Sequence, residues 1–149
     1  MDITHDGHDQ RLVIPGLQSF YAVVSDLWYP MLRLAAGGIL LTHGSMKLQS
    51  GAAPIATGFA KLGLEPALPL AYFIVFLETV GAVCVILGLF TRVFAAAIAI
   101  QMAVIAFVVK MPLGWFQMEF TLLWGLVMFA IALHGGGPYS LDRKIGREL

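Results

Sequence analysis

Four stretches of mainly apolar residues dominate the chain, and short segments that are polar or contain glycine and proline separate them. A helix needs about 20 predominantly apolar residues to cross the hydrocarbon core of a bilayer. The third stretch is bracketed by Arg92 and Lys110, and the fourth has Glu119 near its start. The pattern predicts an all-α, four-transmembrane-helix bundle with spans at about residues 28–44, 70–90, 93–109 and 118–134.

The connecting segments predict shorter elements around this bundle. Residues 17–28 repeat apolar positions at helical spacing between polar ones, which is typical of an amphipathic interfacial helix. Residues 52–63 predict a second short surface helix that ends at Gly63. Almost nothing separates the second span from the third, so these two form a tight antiparallel hairpin. The chain then divides into a polar N-terminal tail with its interfacial helix (1–27), the transmembrane domain (28–134) and a cytoplasmic C-terminal tail (135–149), in which Ser140 caps a short helix.

Composition supports an integral membrane protein. Hydrophobic residues make up 59% of the 149 residues and charged residues only 12%, whereas about 25% of a soluble domain is charged. Basic and acidic residues cancel, so there is no polybasic surface for nucleic acid. Cys84 is the only cysteine, so the chain alone has neither an internal disulfide nor a dithiol relay, and a small buried thiol is the simplest role for it.

The first span has a smooth face with a charge at one end. Residues separated by three, four and seven positions share one side of a helix, so Arg33 lies on the same side as Gly37, Leu40 and Gly44, with Lys47 close behind. Small residues on a helix surface allow a neighbouring helix to approach closely. We therefore expect this face to pack inside the bundle and Arg33 to have a partner from elsewhere in the chain.

Lysine and arginine in the short loops predict the orientation of the bundle, because cytoplasmic loops carry more of them. The two ends and the hairpin contain Arg11, Arg92, Arg143, Lys144 and Arg147, and the opposite side contains Lys47, Lys61 and Lys110. This distribution predicts that both termini are cytoplasmic.

Several motifs, taken in order, resemble the DoxX family of small four-helix membrane proteins. They are Arg33-x-x-x-Gly37-Gly38 with His43-Gly44-x-x-Lys47, the stretch 58–64, Glu78-x-x-Gly81, Gly88-Leu89-x-Thr91-Arg92, Glu119, and Gly137-Pro138-x-Ser140-Leu141-Asp142. The resemblance covers about residues 28–142 and implies a four-helix bundle in a bacterial-type inner membrane. It also implies a membrane subunit of an oxidoreductase system, since the family includes a small subunit of a thiosulfate:quinone oxidoreductase. Some members carry cysteine pairs, which this chain lacks.

Five ionisable residues form the candidate intramembrane site: Arg33, His43, Lys47, Glu78 and Glu119. Helical rise places His43, Lys47 and Glu119 near the outer end of the spans and Glu78 near mid-membrane. One interpretation is a proton-accepting site beside a quinone or another small apolar ligand. The other is a set of interhelical ties that pairs Arg33 or Lys47 with the glutamates, because paired charges are tolerated inside a bundle. Both interpretations stay open, and no catalytic residue is assigned.

The sequence predicts no cofactor bound by this chain itself. His43 and His134 lie roughly 20 Å apart by helical rise, so one haem cannot take both. Metal-ligand spacing and a glycine-rich phosphate loop are absent from the sequence. The candidate cofactor is the quinone that the family resemblance implies, and the chain is not expected to be an enzyme alone.

Two functions follow from these expectations. The first is an accessory or quinone-proximal subunit of a membrane oxidoreductase assembly, whose partners are other membrane or redox subunits or further copies of the chain. The alternative is a module that binds or transports a small apolar molecule, or that helps to assemble a membrane protein without redox activity.

Overall fold

The computed structural model describes residues 14–17, 20–21 and 24–146, and all the regular structure within these ranges is helical. After a single 3₁₀ turn at Pro15–Leu17, the helices are α1 (Trp28–Ser50), α2 (Ala53–Lys61), α3 (Ala67–Leu87), α4 (Thr91–Leu113), α5 (Trp115–His134) and α6 (Leu141–Ile145). Two of the long helices are not uniform. A π-helical turn, Leu77–Gly81, interrupts α3, and α4 ends in a π-helical segment, Ile105–Lys110, and a 3₁₀ turn.

Three of the four predicted spans are long and apolar enough to cross a membrane, namely α3, α4 and α5. The fourth long helix, α1, has 23 residues but is less apolar. Its last two turns contain His43, Lys47 and Gln49, which lower its hydropathy although its length suffices for a span. The chain is thus a helical membrane protein with three candidate spans among the described residues, and α1 is long enough but not apolar enough to be counted as a fourth.

The smooth face of α1 packs into the bundle as predicted. Arg33, Gly37, Leu40 and Gly44 are all buried. A methyl group at Gly37 would lie 2.6 Å from Cγ1 of Ile86, and one at Gly44 would overlap the carbonyl oxygen of Glu78. Helices in lipid associate through close packing rather than through exclusion of water. These two glycines therefore allow α1 to lie directly against the backbone of α3.

The predicted hairpin between α3 and α4 consists of three residues. Gly88 ends α3 with φ +68°, and Phe90 starts the next helix with φ +47°. The left-handed conformation suits glycine, which has no Cβ to clash. A side chain at Gly88 would also overlap the guanidinium of Arg33 and the backbone of Ser140. The hairpin is therefore held against α1 and the C-terminal segment.

The shorter elements follow the sequence pattern where the structure describes them. α2 coincides with the predicted surface helix, and Gly63, with φ +71°, follows its end. Ser140 caps α6, since its Oγ accepts a hydrogen bond from the Arg143 N–H at 3.2 Å. The interfacial helix predicted at 17–28 falls partly on residues outside the described ranges, as does the polar tail before residue 14.

The segment after α5 differs from the expected C-terminal tail, because it folds back onto the bundle. Gly135, Gly136, Ser140 and Asp142 are all buried. The amide N–H of Asp142 donates a hydrogen bond to the Gly88 carbonyl at 2.9 Å. We call residues 135–142 the C-terminal clasp. This part of the predicted cytoplasmic tail is thus packed against the bundle, because polar groups in the clasp pair with buried groups of α1 and the hairpin.

Candidate functional site

Glu78 lies in the middle of α3 and is 1% exposed. Its Oε1 accepts a hydrogen bond from Lys47 Nζ on α1 at 2.6 Å and another from Gln101 Nε2 on α4, also at 2.6 Å. Lys47 thereby forms an ion pair with Glu78, and its side chain is still 32% exposed. One carboxylate therefore ties three helices together near mid-depth, with its cation reaching the edge of the bundle.

The π-helical turn at Leu77–Gly81 contains Glu78. Such a turn adds one residue to a helical turn and is often found at functional sites. Two glycines accompany it. Gly44 of α1 lies against the Glu78 backbone, and a methyl group at Gly81 would be 3.2 Å from the Phe94 ring. Gly44 thus allows α1 to reach the backbone of the widened turn directly, and Gly81 leaves room for the Phe94 side chain of α4.

A cavity of about 200 Å³ adjoins this carboxylate, and we call it the Glu78 cavity. Its walls are aliphatic and aromatic, with a few polar groups. They come from α1 (Ile39, Leu40, His43, Lys47), α3 (Glu78), α4 (Met102, Ile105, Lys110) and α5 (Phe120, Thr121, Trp124). An apolar pocket with a small number of convergent polar groups is the usual form of a ligand site.

Two buried oxygen atoms at this site have no hydrogen-bond partner among the described residues. They are Oε2 of Glu78 and Oε1 of Gln101. Leaving such a group unsatisfied generally costs about 1–3 kcal/mol, and more when the group is charged. The ion pair and the amide hydrogen bond both go to Oε1 of Glu78, so its second oxygen is left as a free acceptor.

Arg33 does not belong to this site, although the sequence analysis grouped it with Glu78. It is 14 residues from Lys47 along α1, which corresponds to about 21 Å of helical rise. Its Nη2 donates to the Tyr139 carbonyl at 2.9 Å, and its Nη1 donates to the Gly136 carbonyl. The partner of Arg33 is thus the C-terminal clasp rather than a glutamate in the second span.

The remaining predicted residues lie at the periphery of the site. His43 lines the Glu78 cavity but is exposed, and no hydrogen bond to it occurs among the described residues. Glu119 is exposed and is not one of the residues lining the cavity. His134 contacts the ring of Tyr29 with centroids 4.0 Å apart, at the other end of the bundle. The structure therefore brings together His43, Lys47 and Glu78 only.

Sequence reasoning missed three polar residues of the site. Gln101 is the single polar residue in the middle of its span, at the same depth as Glu78, and this depth match was the available signal. Lys110 was assigned to a loop, but the π-helical segment carries it to the cavity. Thr121 resembles an ordinary core hydroxyl in sequence, so its place on the cavity wall had no sequence signal.

The arrangement defines a class of protein: a helical membrane protein with a charged, hydrogen-bonded group buried between its long helices. The DoxX family profile matches residues 30–111, which is more than half of the chain. The chain belongs to the DoxX family. No curated protein and no solved structure matches it. The matched range contains Lys47, Glu78, Gln101 and Lys110, whereas α5 and the C-terminal clasp lie outside it.

Proposed function

We propose that this protein is the quinone-proximal membrane subunit of an oxidoreductase assembly and that it holds the ring of a quinone-type lipid in the Glu78 cavity. The observation that carries the proposal is a carboxylate that is 1% exposed, paired with a lysine, and adjacent to a partly aromatic cavity. Ionisable groups inside a membrane are costly and tend to mark ligand or proton pathways.

The size of the cavity supports a single-ring ligand. An apolar cavity of about 150 Å³ can hold a benzene molecule, so about 200 Å³ accommodates one ring with small substituents. Drug-sized ligands need roughly 300–1,000 Å³. Ile39 and Phe120, which line the cavity, are themselves largely exposed, so an alkyl tail attached to the ring can leave towards lipid between them.

The polar groups of the cavity fit the oxygens of such a ring. Lys110, Thr121 and His43 carry possible donors, and Oε2 of Glu78 is a free acceptor. A quinone supplies two-electron, two-proton redox chemistry when it is bound. The residues of this chain orient the ring, keep water from its apolar face, and offer the Glu78 carboxylate as an acceptor for a ligand proton. Lys47, about one third exposed, connects that carboxylate to the edge of the bundle.

The assembly part of the proposal rests on the sequence. The chain has one cysteine, and glutamate, lysine and histidine cannot store an electron at ordinary potentials. Electrons for a quinone at this site therefore come from another subunit. Both termini lie on the cytoplasmic side of a bacterial-type inner membrane in this proposal, as the loop charges predict.

A second candidate, a module for binding or transporting an apolar molecule or for assembling membrane proteins, is favoured by a different feature. A groove of about 460 Å³ runs between α4 and α5. All its lining residues are apolar or glycine, among them Ala99, Ala103 and Gly125. Small residues at such positions allow close approach of a helix or a lipid chain. This groove needs no redox partner to function.

Titration of the purified protein in lipid nanodiscs with a short-chain benzoquinone tests the first candidate. We expect saturable binding by calorimetry, weakened at least roughly tenfold by Ile39→Trp, since an indole at this position narrows the cavity. Val104→Trp is the matched control, because Ile39 and Val104 are 45% and 44% exposed and Val104 does not line the cavity. Absence of saturable binding of both the benzoquinone and its hydroquinone, or equal weakening by both variants, would contradict the proposed ligand. Recovery of a redox protein with the chain after mild solubilisation tests the assembly.

A further inference from the structure

We infer that the Glu78 cavity selects the hydroxyl-bearing form of its ring ligand, a hydroquinone rather than a quinone, through a hydrogen bond that the ligand hydroxyl donates to Oε2 of Glu78. The inference rests on the proposed function and adds to it the chemical form that the site binds. It follows from the distribution of donors and acceptors around one buried carboxylate.

Lys47 and Gln101 both donate to the same oxygen of Glu78. Lys47 Nζ and Gln101 Nε2 each lie 2.6 Å from Oε1. Oε2 has no hydrogen-bond partner among the described residues, and the side chain that carries it is 1% exposed. Because Glu78 lines the cavity, the donor that this oxygen lacks can be supplied by a ligand.

The amide of Gln101 also favours a ligand that donates a hydrogen bond. Gln101 is 7% exposed, its Nε2 donates to Glu78, and its Oε1 is a second buried acceptor with no partner in the part of the chain that the structure describes. Among the described residues, two buried acceptors beside the carboxylate therefore have no partner, whereas the nitrogens of Lys47 and Gln101 already donate to Oε1 of Glu78. A ligand that only accepts hydrogen bonds would leave both oxygens unpaired and would place its own lone pairs against them.

The two redox forms of a quinone differ in this respect. The carbonyl oxygens of the oxidised form accept hydrogen bonds only, whereas the hydroxyl groups of the reduced form also donate. A site that is built to pair with a ligand hydroxyl discriminates strongly against the analogue that lacks it, because its buried polar group then stays unpaired. Lys110, on the cavity wall, can donate to the second ring oxygen in either form.

Three ligands of nearly equal shape test the inference in nanodiscs under anaerobic conditions: a short-chain benzoquinone, its hydroquinone, and the dimethyl ether of that hydroquinone. We expect the hydroquinone to bind at least roughly tenfold more tightly than the other two, because only it can donate to Oε2. The comparison of hydroquinone with dimethyl ether uses the wild-type protein alone, so it does not depend on whether a variant folds.

Glu78→Gln provides the matched substitution. It keeps the shape of the side chain but adds an amide donor, so the preference for hydroquinone over benzoquinone should fall to about threefold or less. Glu119→Gln, outside the cavity, should leave the wild-type preference unchanged.

The possible results separate the two proposals. Tighter or equal binding of benzoquinone by the wild-type protein overturns the inference and leaves the proposed function standing. An unchanged preference in Glu78→Gln also overturns it, because the hydroxyl would then be recognised elsewhere. If none of the three ligands binds, the proposed function and the inference both fail.

Discussion

Two carboxylates are buried in this protein to the same degree but in different surroundings. Asp142, in the C-terminal clasp, is 2% exposed, and Glu78, in α3, is 1% exposed. Asp142 accepts from the Phe90 N–H at 2.7 Å through Oδ1, and through Oδ2 from the N–H and hydroxyl of Thr91 at 3.0 and 2.7 Å. Glu78 accepts from two donors through Oε1, and within the described ranges no donor reaches its Oε2.

The difference explains why burial of a charge does not by itself indicate a ligand site. Asp142 sits at the N-terminus of α4, where free N–H groups and the helix dipole favour a negative charge. Both oxygens of Asp142 accept hydrogen bonds from the protein. Asp142 is not one of the residues that line the Glu78 cavity. We interpret Asp142 as a structural lock that joins the clasp to the hairpin. Glu78 has an acceptor to spare and a cavity beside it, which is the combination that a ligand can use.

Removal of the Asp142 carboxylate should have the largest effect on stability. Asp142→Ala leaves three donors at Phe90 and Thr91 without an acceptor, and each such group costs about 1–3 kcal/mol. We expect the free energy of unfolding in detergent to fall by about 3–5 kcal/mol. Arg143→Ala, exposed on the same short helix, should change it by at most about 0.5 kcal/mol.

Loss of the Glu78 carboxylate should have a smaller effect on stability. Glu78→Ala should destabilise the protein less than Asp142→Ala, because Lys47 is about one third exposed and can turn towards water when its partner is removed. If the two variants unfold at the same denaturant concentration, or if Glu78→Ala is the less stable, the distinction between a structural lock and a ligand site is wrong.

Disruption of the close packing between α1 and the π-helical turn should have an intermediate effect on stability. A Cβ at Gly44 would lie 2.5 Å from the carbonyl carbon of Glu78, so Gly44→Ala must push the two helices apart. Overpacking of this kind costs about 1–3 kcal/mol, and we expect hydroquinone binding to be lost as Lys47 moves away from Glu78. Thermal unfolding and ligand titration measure both effects.

Gly38 offers the matched control for Gly44 on the same helix. A Cβ at Gly38 meets nothing within 4 Å. Gly38→Ala should therefore leave binding unchanged and stabilise the helix by up to about 1 kcal/mol, because alanine favours the helical conformation. Equal behaviour of the two variants would show that the approach of α1 to Glu78 does not shape the site.

Removal of the Lys110 charge on the cavity wall should have the smallest effect, and this effect is on ligand binding. Lys110 has no ion-pair partner among the described residues, so it can donate to a ring oxygen but remains partly screened by solvent. A partly exposed charge contributes up to about 1 kcal/mol, so Lys110→Met should weaken hydroquinone binding about threefold to fivefold. Lys61→Met, on α2 and away from the cavity, should have no effect on calorimetric titrations. Equal weakening by both would indicate a general charge effect.

Local pattern was enough to predict the elements of this protein. The period of apolar residues located α3, α4 and α5 within a few residues, and the small-residue period of α1 identified its buried face. Gly63, Gly88 and Ser140 end or cap elements where their backbone chemistry requires it. These features depend on neighbours in sequence, so the sequence contains them directly.

The site depended on contacts between distant parts of the chain. Glu78 is 31 residues from Lys47 and 23 from Gln101, and periodicity carries no information on which of several cations pairs with a buried carboxylate. The sequence allowed Arg33 as well as Lys47 to pair with Glu78. In the structure, Arg33 instead donates to carbonyls of the clasp at the other end of α1. The local pattern did not predict the π-helical turn of α3 either, and this turn lies where α1 and α4 pack against α3. The free oxygen of Glu78 results from this packing, since its geometry decides which donors each oxygen can reach.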